Sequence, residues 1–231
     1  MTRQLPLALG LQHSPSLDDY IVGHNQVVID ALRRTLLGIG EDVLYLFGPA
    51  GCGRSHLLMG QCAMAEQKGL RCAYLPLGEH ASLAPEMLEG LESLDLVAID
   101  DVQCIVGDGA WEEALFALFN RCRDRGTRML FSADCGPAAL PLHLPDLRSR
   151  LAWGLTLSLQ PLDERGRLEL LQSLAARRAL KLPEEVARYL LARTSRHPRD
   201  LVDTIARLDQ ASLSEKRRLT IPFVRDSLQL G

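Results

Sequence analysis

From Asp18 to about Gln160 the apolar positions fall into short runs separated by longer amphipathic stretches, and that alternation sets the expected architecture. Val43–Phe47 is a short apolar run that ends against glycines, as a buried strand does. Arg71–Leu75, Leu94–Asp100, Thr127–Ala133 and Leu155–Leu159 read as further strands. Between them, Ser55–Gln67 is helical, and Ala110–Arg125 carries Leu115, Phe116, Leu118 and Phe119 as a helical stripe. Strands alternating with helices predict a mainly parallel sheet covered on both faces.

After Pro161 the pattern becomes helical throughout. Asp163–Ala179, Pro183–Thr194 and Pro198–Leu213 read as helices, with a short fourth at Ile221–Leu228. Leu201, Ile205 and Leu208 repeat at i, i+4 and i+7 on one face. Pro183 and Pro198 suit first-turn positions, where a missing N–H costs nothing. Residues 1–16 are poor in charge and contain Pro6 and Pro15, so they read as an extended arm. The expected organisation is an arm at 1–16, an α/β core at 17–160 and a small all-helical domain at 161–231.

Composition narrows the class. A chain of 231 residues with 47% hydrophobic content can bury a substantial core. No apolar run approaches the ~18 residues of a membrane span. The segment from Met1 to Pro6 lacks the pattern of a secretory signal, so a cytoplasmic protein with no membrane association is expected. A net charge of −3 does not suggest nucleic acid as the main partner. The six cysteines form no C-x-x-C pair, and no histidine stands beside them at ligand spacing; mostly buried, reduced thiols are expected.

The candidate chemistry begins at Gly48-Pro49-Ala50-Gly51-Cys52-Gly53-Arg54-Ser55, followed by His56. It follows a strand and opens a helix, as a phosphate-binding loop does, with Arg54 where that pattern has lysine. The glycines let backbone N–H groups surround phosphate oxygens, and the helix N-terminus adds partial positive charge. Ser55 offers a hydroxyl to Mg²⁺. Arginine is longer and planar, so it can hold an anion but not in the geometry of lysine. Nucleotide binding is therefore expected more firmly than fast hydrolysis. Leu96–Asp101 supplies the second element, an apolar strand ending in carboxylates, with Asp100 placed to hold Mg²⁺ and Asp101 placed to hold metal or orient water.

With these elements in order, the chain resembles the AAA+ region of the bacterial DnaA family, and most closely its Hda-type regulators. The resemblance covers nearly the whole chain. Tyr20–Asn25 resembles the segment that packs on adenine, which implies a nucleotide role for Ile21 and Val22. Leu130–Asp134 resembles the strand of sensor 1, with Asp134 at the γ-phosphate end. Leu147–Leu155 resembles the box that carries the arginine finger, which falls on Arg150. His197–Leu201 resembles sensor 2, which falls on Arg199. Arg54 in place of lysine is itself a feature that Hda-type chains share.

The resemblance also implies partners. Gln4, Leu5, Pro6, Leu7 and Leu9 resemble the motif that docks on the DNA polymerase sliding clamp, with Ala8 before the last leucine where the motif has proline. Pro6 favours an extended backbone, and the leucines can fill an apolar groove while Gln4 anchors polar contacts. The sequence ends at Gly231 with the helical domain, so no sequence-specific DNA binding is expected, and Lys216-Arg217-Arg218 reads as a solvated turn. The implied function is a clamp-bound adaptor that holds ADP (or ATP) with Mg²⁺, stimulates hydrolysis of ATP on DnaA through Arg150, and so restrains replication initiation. It would not be an efficient ATPase alone. The alternatives are an autonomous AAA+ ATPase such as a helicase loader or remodeller, a small P-loop kinase, and a DNA-binding initiator paralogue. Oligomeric state is left open.

Overall fold

The computed structural model describes residues 16–229. The chain divides into two compact units; the second comprises the residues from Gln160 onward together with 21–26 and 50–52.

The first unit is built on a five-stranded sheet of β1 (Val43–Phe47), β2 (Cys72–Pro76), β3 (Leu96–Asp100), β4 (Arg128–Ala133) and β5 (Leu155–Ser158). The strand order is β2-β3-β4-β1-β5, and every pairing is parallel. The centre is apolar because both of its faces are covered: β3 is buried along its whole length. β5 lies on the edge and is mostly exposed, so its apolar content is lower.

Four helices serve this sheet: α1 (Gln26–Leu36), α2 (Arg54–Gln67), α3 (Gly109–Arg125) and α4 (Pro145–Leu151). α1 and α2 are tied by the buried Gln61 amide, whose Nε2 donates to the Leu32 carbonyl at 2.8 Å. α3 and α4 share a core with Val43, Tyr45, Val97, Ile99 and Phe131. Phe119 of α3 stacks on Phe131 of β4 with ring centroids 6.0 Å apart. α3 is well bounded. Asp108 caps its first amides, and Gly126 ends it at φ +71°, a left-handed conformation that glycine adopts without strain.

The second unit holds α5 (Glu164–Arg177), α6 (Glu184–Arg193), α7 (Pro198–Glu215) and α8 (Ile221–Leu228). Leu201, Ile205 and Leu208 are fully buried, together with Leu171, Val186 and Phe223. Asn25 is buried and clasps Gln160 twice: its Nδ2 donates to the Gln160 carbonyl at 2.9 Å, and its Oδ1 accepts from the Gln160 amide at 2.8 Å. The turn at Lys216-Arg217-Arg218 is exposed, and Arg217 pairs with Glu215 at 3.2 Å. No helix among the described residues is long and apolar enough to cross a membrane.

Element boundaries differ from the sequence reading by a residue or two. Asp163 caps α5 rather than beginning it, accepting from the Gly166 amide, and Pro183 is the cap of α6 rather than a first-turn residue. Arg71 stands outside β2 because its amide and guanidinium both bond to Asp95. α1 and α4 lie outside the elements read from the sequence. The apolar positions of α1, Val28, Ile29, Leu32 and Leu36, do fit a helical face. α4 is only two turns long, too short for periodicity to speak.

Candidate nucleotide-binding site

The carboxyl ends of the parallel strands gather the loop and its acidic partners, the region of an open α/β sheet where ligands bind. The loop leaves β1 at Gly48, whose amide donates to the Ala133 carbonyl at 3.3 Å. Gly51 and Gly53 have φ of +81° and +95°. Gly53 is required twice over, because a Cβ there would also meet the Tyr20 ring at 2.6 Å. Gly53 is the N-cap of α2 and no side chain caps the helix. The first amides of α2 are thus left without a side-chain acceptor, and an anion is a natural partner for such a helix end.

Arg54 does not reach outward as the loop lysine of the usual pattern would. Its side chain is 12% exposed, Nη1 donates to the Gly48 carbonyl, and Nη2 donates to Asp101 Oδ1 at 3.0 Å. Its Nε–H is buried and has no acceptor among the described residues. A buried donor of this kind costs about 1–3 kcal/mol unless satisfied. Asp101 itself is held in the left-handed region at φ +57°. Its Oδ1 also accepts from Gln103 Nε2 at 2.9 Å, and Gln103 Oε1 accepts from the Asp134 amide at 3.2 Å. Gln103 therefore ties the end of β3 to the end of β4.

Asp100 is buried and doubly bonded. The Tyr74 hydroxyl donates to its Oδ2 at 2.7 Å, and the Ser132 hydroxyl donates to its Oδ1. Strand register explains both contacts. Ser132 follows Phe131, the partner of Ile99, and Tyr74 pairs with Ala98, two residues before Asp100 on the same face. Burial, and then the Asp100 carboxylate, push the Tyr74 phenol far above its usual range, so it remains a donor. The nearby Ser55 hydroxyl opposes part of that shift.

Ser55, Asp100 and Asp101 are the residues that would hold the expected Mg²⁺, and all three stand around the loop at the ends of β1 and β3. Their oxygens are hard and suitable in kind for the ion. The Asp100 oxygens accept from Tyr74 and Ser132, and Asp101 Oδ1 accepts from Arg54 and Gln103; each Asp100 oxygen keeps a second lone pair.

The remaining expected residues fall as follows. Pro49 and Ala50 are exposed in the loop, and Cys52 is buried. His56 Nε2 lies 3.0 Å from the Ser16 carbonyl, and its ring is tilted against Tyr20 at 6.0 Å. Ile21 and Val22 are half-buried in the segment before α1. Asp134 is exposed directly after β4. Arg199 is exposed in the first turn of α7, its amide donating to His197 Nδ1 at 3.3 Å. Arg150 is half-buried in the last turn of α4, with its guanidinium 5.9 Å from the Trp153 ring centroid. Gln4, Leu5, Pro6, Leu7 and Leu9 lie outside the described residues.

Sequence reasoning missed Tyr74, Ser132, Gln103 and Glu112. Glu112 is a buried carboxylate that accepts from three backbone amides: Gly107 at 2.9 Å, His143 at 3.2 Å and Leu144 at 2.7 Å. Leu144 is the N-cap of α4, so Glu112 fixes the start of the helix that carries Arg150.

A parallel sheet of this order, a glycine loop feeding α2, and a following helical unit define a P-loop protein of the AAA+ class. The family model described as bacterial DnaA ATPase domain matches residues 11–158, and the model described as Hda lid domain matches residues 163–228. The chain belongs to the DnaA family of AAA+ proteins and carries a lid of the Hda type. Solved structures agree in fold. Domain III of the Thermotoga maritima replication initiation protein DnaA superposes with a TM-score of 0.81 at 24% identity, covering 95% of this chain and 97% of that one. AMPPCP-bound DnaA from Aquifex aeolicus gives a TM-score of 0.74 at 24% identity, over 89% of this chain and 68% of that one. The Thermotoga maritima RuvB Holliday junction branch migration motor gives 0.71 at 19% identity, over 93% and 71%.

Proposed function

We propose that this chain is a nucleotide-holding adaptor that docks on the DNA polymerase sliding clamp through residues 4–9 and brings Arg150 to ATP held by DnaA. In this reading hydrolysis converts ATP-DnaA to ADP-DnaA and restrains initiation. The observation that carries it is the state of Arg150. It stands at the end of α4 over the exposed ring of Trp153, and among the described residues no carboxylate is paired with it. A guanidinium held by an aromatic face keeps its five donors for phosphate oxygens. The chain's own loop arginine, in contrast, is already bonded to Gly48 and Asp101. That division suits a protein that contributes one cation to a partner's site and turns over little nucleotide itself. The uncapped start of α2 supports an anionic ligand in its own loop, and ADP is the nucleotide proposed because Arg54 stands where the pattern has the lysine that reaches the β- and γ-phosphates.

An arginine finger supplied in trans accelerates hydrolysis by ~10³–10⁵-fold in other nucleotide hydrolases. The test is single-turnover hydrolysis of ATP on DnaA with DNA-loaded clamp. Arg150→Ala is expected to keep ADP and clamp binding and to lose the stimulation. Arg150→Lys recovers little, because one ammonium lacks the fork geometry. Undiminished stimulation by folded Arg150→Ala would remove Arg150 from the reaction and direct attention to Arg148.

A further inference from the structure

We infer that the cleft between α5 and α6 in the helical unit is a docking site for a protein segment that carries carboxylates on both sides of an aliphatic side chain. Two adjoining cavities, of about 90 and 340 Å³, open between these helices and share Glu164, Arg188 and Leu191 as lining. α5 contributes positions 164, 167 and 168, which fall on one helical face at i, i+3 and i+4. α6 contributes Arg188 and Leu191 at i and i+3. Arg165 lines the larger cavity, and Arg196, between α6 and α7, lines the smaller. The floor is apolar: Leu191 is 7% exposed, and Leu168 packs against the same lid core.

The walls are cationic. Four guanidiniums line the two cavities against the single carboxylate of Glu164. Among the described residues, the side chains of Arg165, Arg167 and Arg196 make no hydrogen bond or ion pair. Asp163 stands near Arg165 and Arg167 but beyond ion-pair distance; its carboxylate accepts from the Gly166 amide at 2.7 Å and lies 3.6 Å from His24. Arg188 reaches one oxygen of Glu184, through Nε at 3.0 Å and Nη2 at 2.7 Å, which leaves Nη1. Arg167 is half-buried, so its guanidinium has given up part of its hydration. A carboxylate presented to the cleft restores that loss in a charge-assisted bond, and the planar fork of arginine suits it. The apolar floor decides between a peptide and a polyphosphate backbone. Leu168 and Leu191 can seat an aliphatic side chain, whereas bound single strands stack their bases on aromatic rings, and the cavities have none in their lining. Glu164 would repel a continuous row of phosphates, while a peptide can set an uncharged residue against it. The chain's net charge of −3 adds no long-range attraction for a polyanion.

The experiment selects displayed random peptides of about twelve residues on the immobilised full chain. The most enriched peptide is then synthesised with a fluorescent label and titrated by anisotropy. Enriched peptides are expected to carry Asp or Glu on both sides of Leu, Ile or Met. Arg167→Ala and Arg196→Ala are each expected to weaken binding at least about tenfold, and replacing the peptide's Asp and Glu by Asn and Gln should do the same. Arg225→Ala, at an exposed position of α8 in the same unit, should leave Kd within about twofold. If either cleft variant does not fold, the other variant and the amide-substituted peptide decide. No enrichment over an empty support, enrichment without carboxylates, or an acidic peptide that binds both arginine variants as tightly as wild type overturns the inference. So does labelled oligothymidylate that binds wild type at physiological salt and loses at least about tenfold in affinity with both variants, because the cleft would then serve a polyphosphate backbone.

Discussion

Replacing Glu112 by glutamine tests whether the α4 platform depends on one buried carboxylate. Glu112 is 1% exposed in the first turn of α3, and its Oε1 serves the Gly107 and His143 amides while Oε2 serves Leu144. Glutamine keeps one acceptor oxygen, which the two-amide side retains, and its NH₂ then faces the Leu144 N–H donor to donor. A hydrogen bond to a charged group contributes ~1.5–3 kcal/mol, and a buried N–H left unsatisfied costs ~1–3 kcal/mol. Local rotation and water entry offset part of that sum, so a net loss of about 2–4 kcal/mol is expected. Alanine orphans all three amides and leaves a void, for about 3–5 kcal/mol. The measurement is urea unfolding followed by tryptophan emission, since buried Trp111 lies beside Glu112 and exposed Trp153 lies just beyond α4. The midpoint should fall while the slope stays constant, as for a loss of stability without a change in surface exposed. A Glu112→Gln protein within about 0.5 kcal/mol of wild type would refute the reasoning, because surface substitutions of no structural consequence fall in that range.

The lid offers a pH test at Asp163, whose carboxyl is held below its ordinary range first by the Gly166 amide. Its stabilisation is complete above the unfolded value, near pH ~4, and is lost as pH falls through the depressed folded value. Asp163→Ala should lower the thermal midpoint at neutral pH and flatten the acid decline, whereas Asp163→Asn should retain the cap at neutral pH. Parallel pH profiles for wild type and Asp163→Ala would contradict the assignment. Changing Gln4 and Leu5 to Ala should abolish sliding-clamp binding with an unaltered circular dichroism spectrum; a chain lacking residues 1–12 that binds the clamp as well as the full chain would exclude the arm.

Much of the architecture was legible because it is local. Val43–Phe47 and Leu96–Asp100 are central strands buried on both faces, so their apolar runs are continuous in the chain. The stripe Leu201, Ile205 and Leu208 is fully buried as helical period requires. The glycine loop was legible for a related reason: positive φ at Gly51 and Gly53 is a property of the backbone at those positions alone. Helix ends were less legible, since a proline or aspartate serves equally as cap or first-turn residue, as Pro183 and Asp163 illustrate.

The partners of the loop's charges were decided by tertiary structure. Sequence shows that Arg54 is a cation in a phosphate loop, but its bond to Asp101 depends on where β3 ends relative to β1, two strands away across the sheet. Tyr74 reads as one aromatic among strand residues until parallel register sets it diagonally beside Asp100. Glu112 reads as a solvated first-turn carboxylate until the chain at 143–144 returns to present its amides. Side-chain period follows from the backbone's local geometry, whereas the partner of a buried charge depends on which distant segment the packing brings within hydrogen-bond reach.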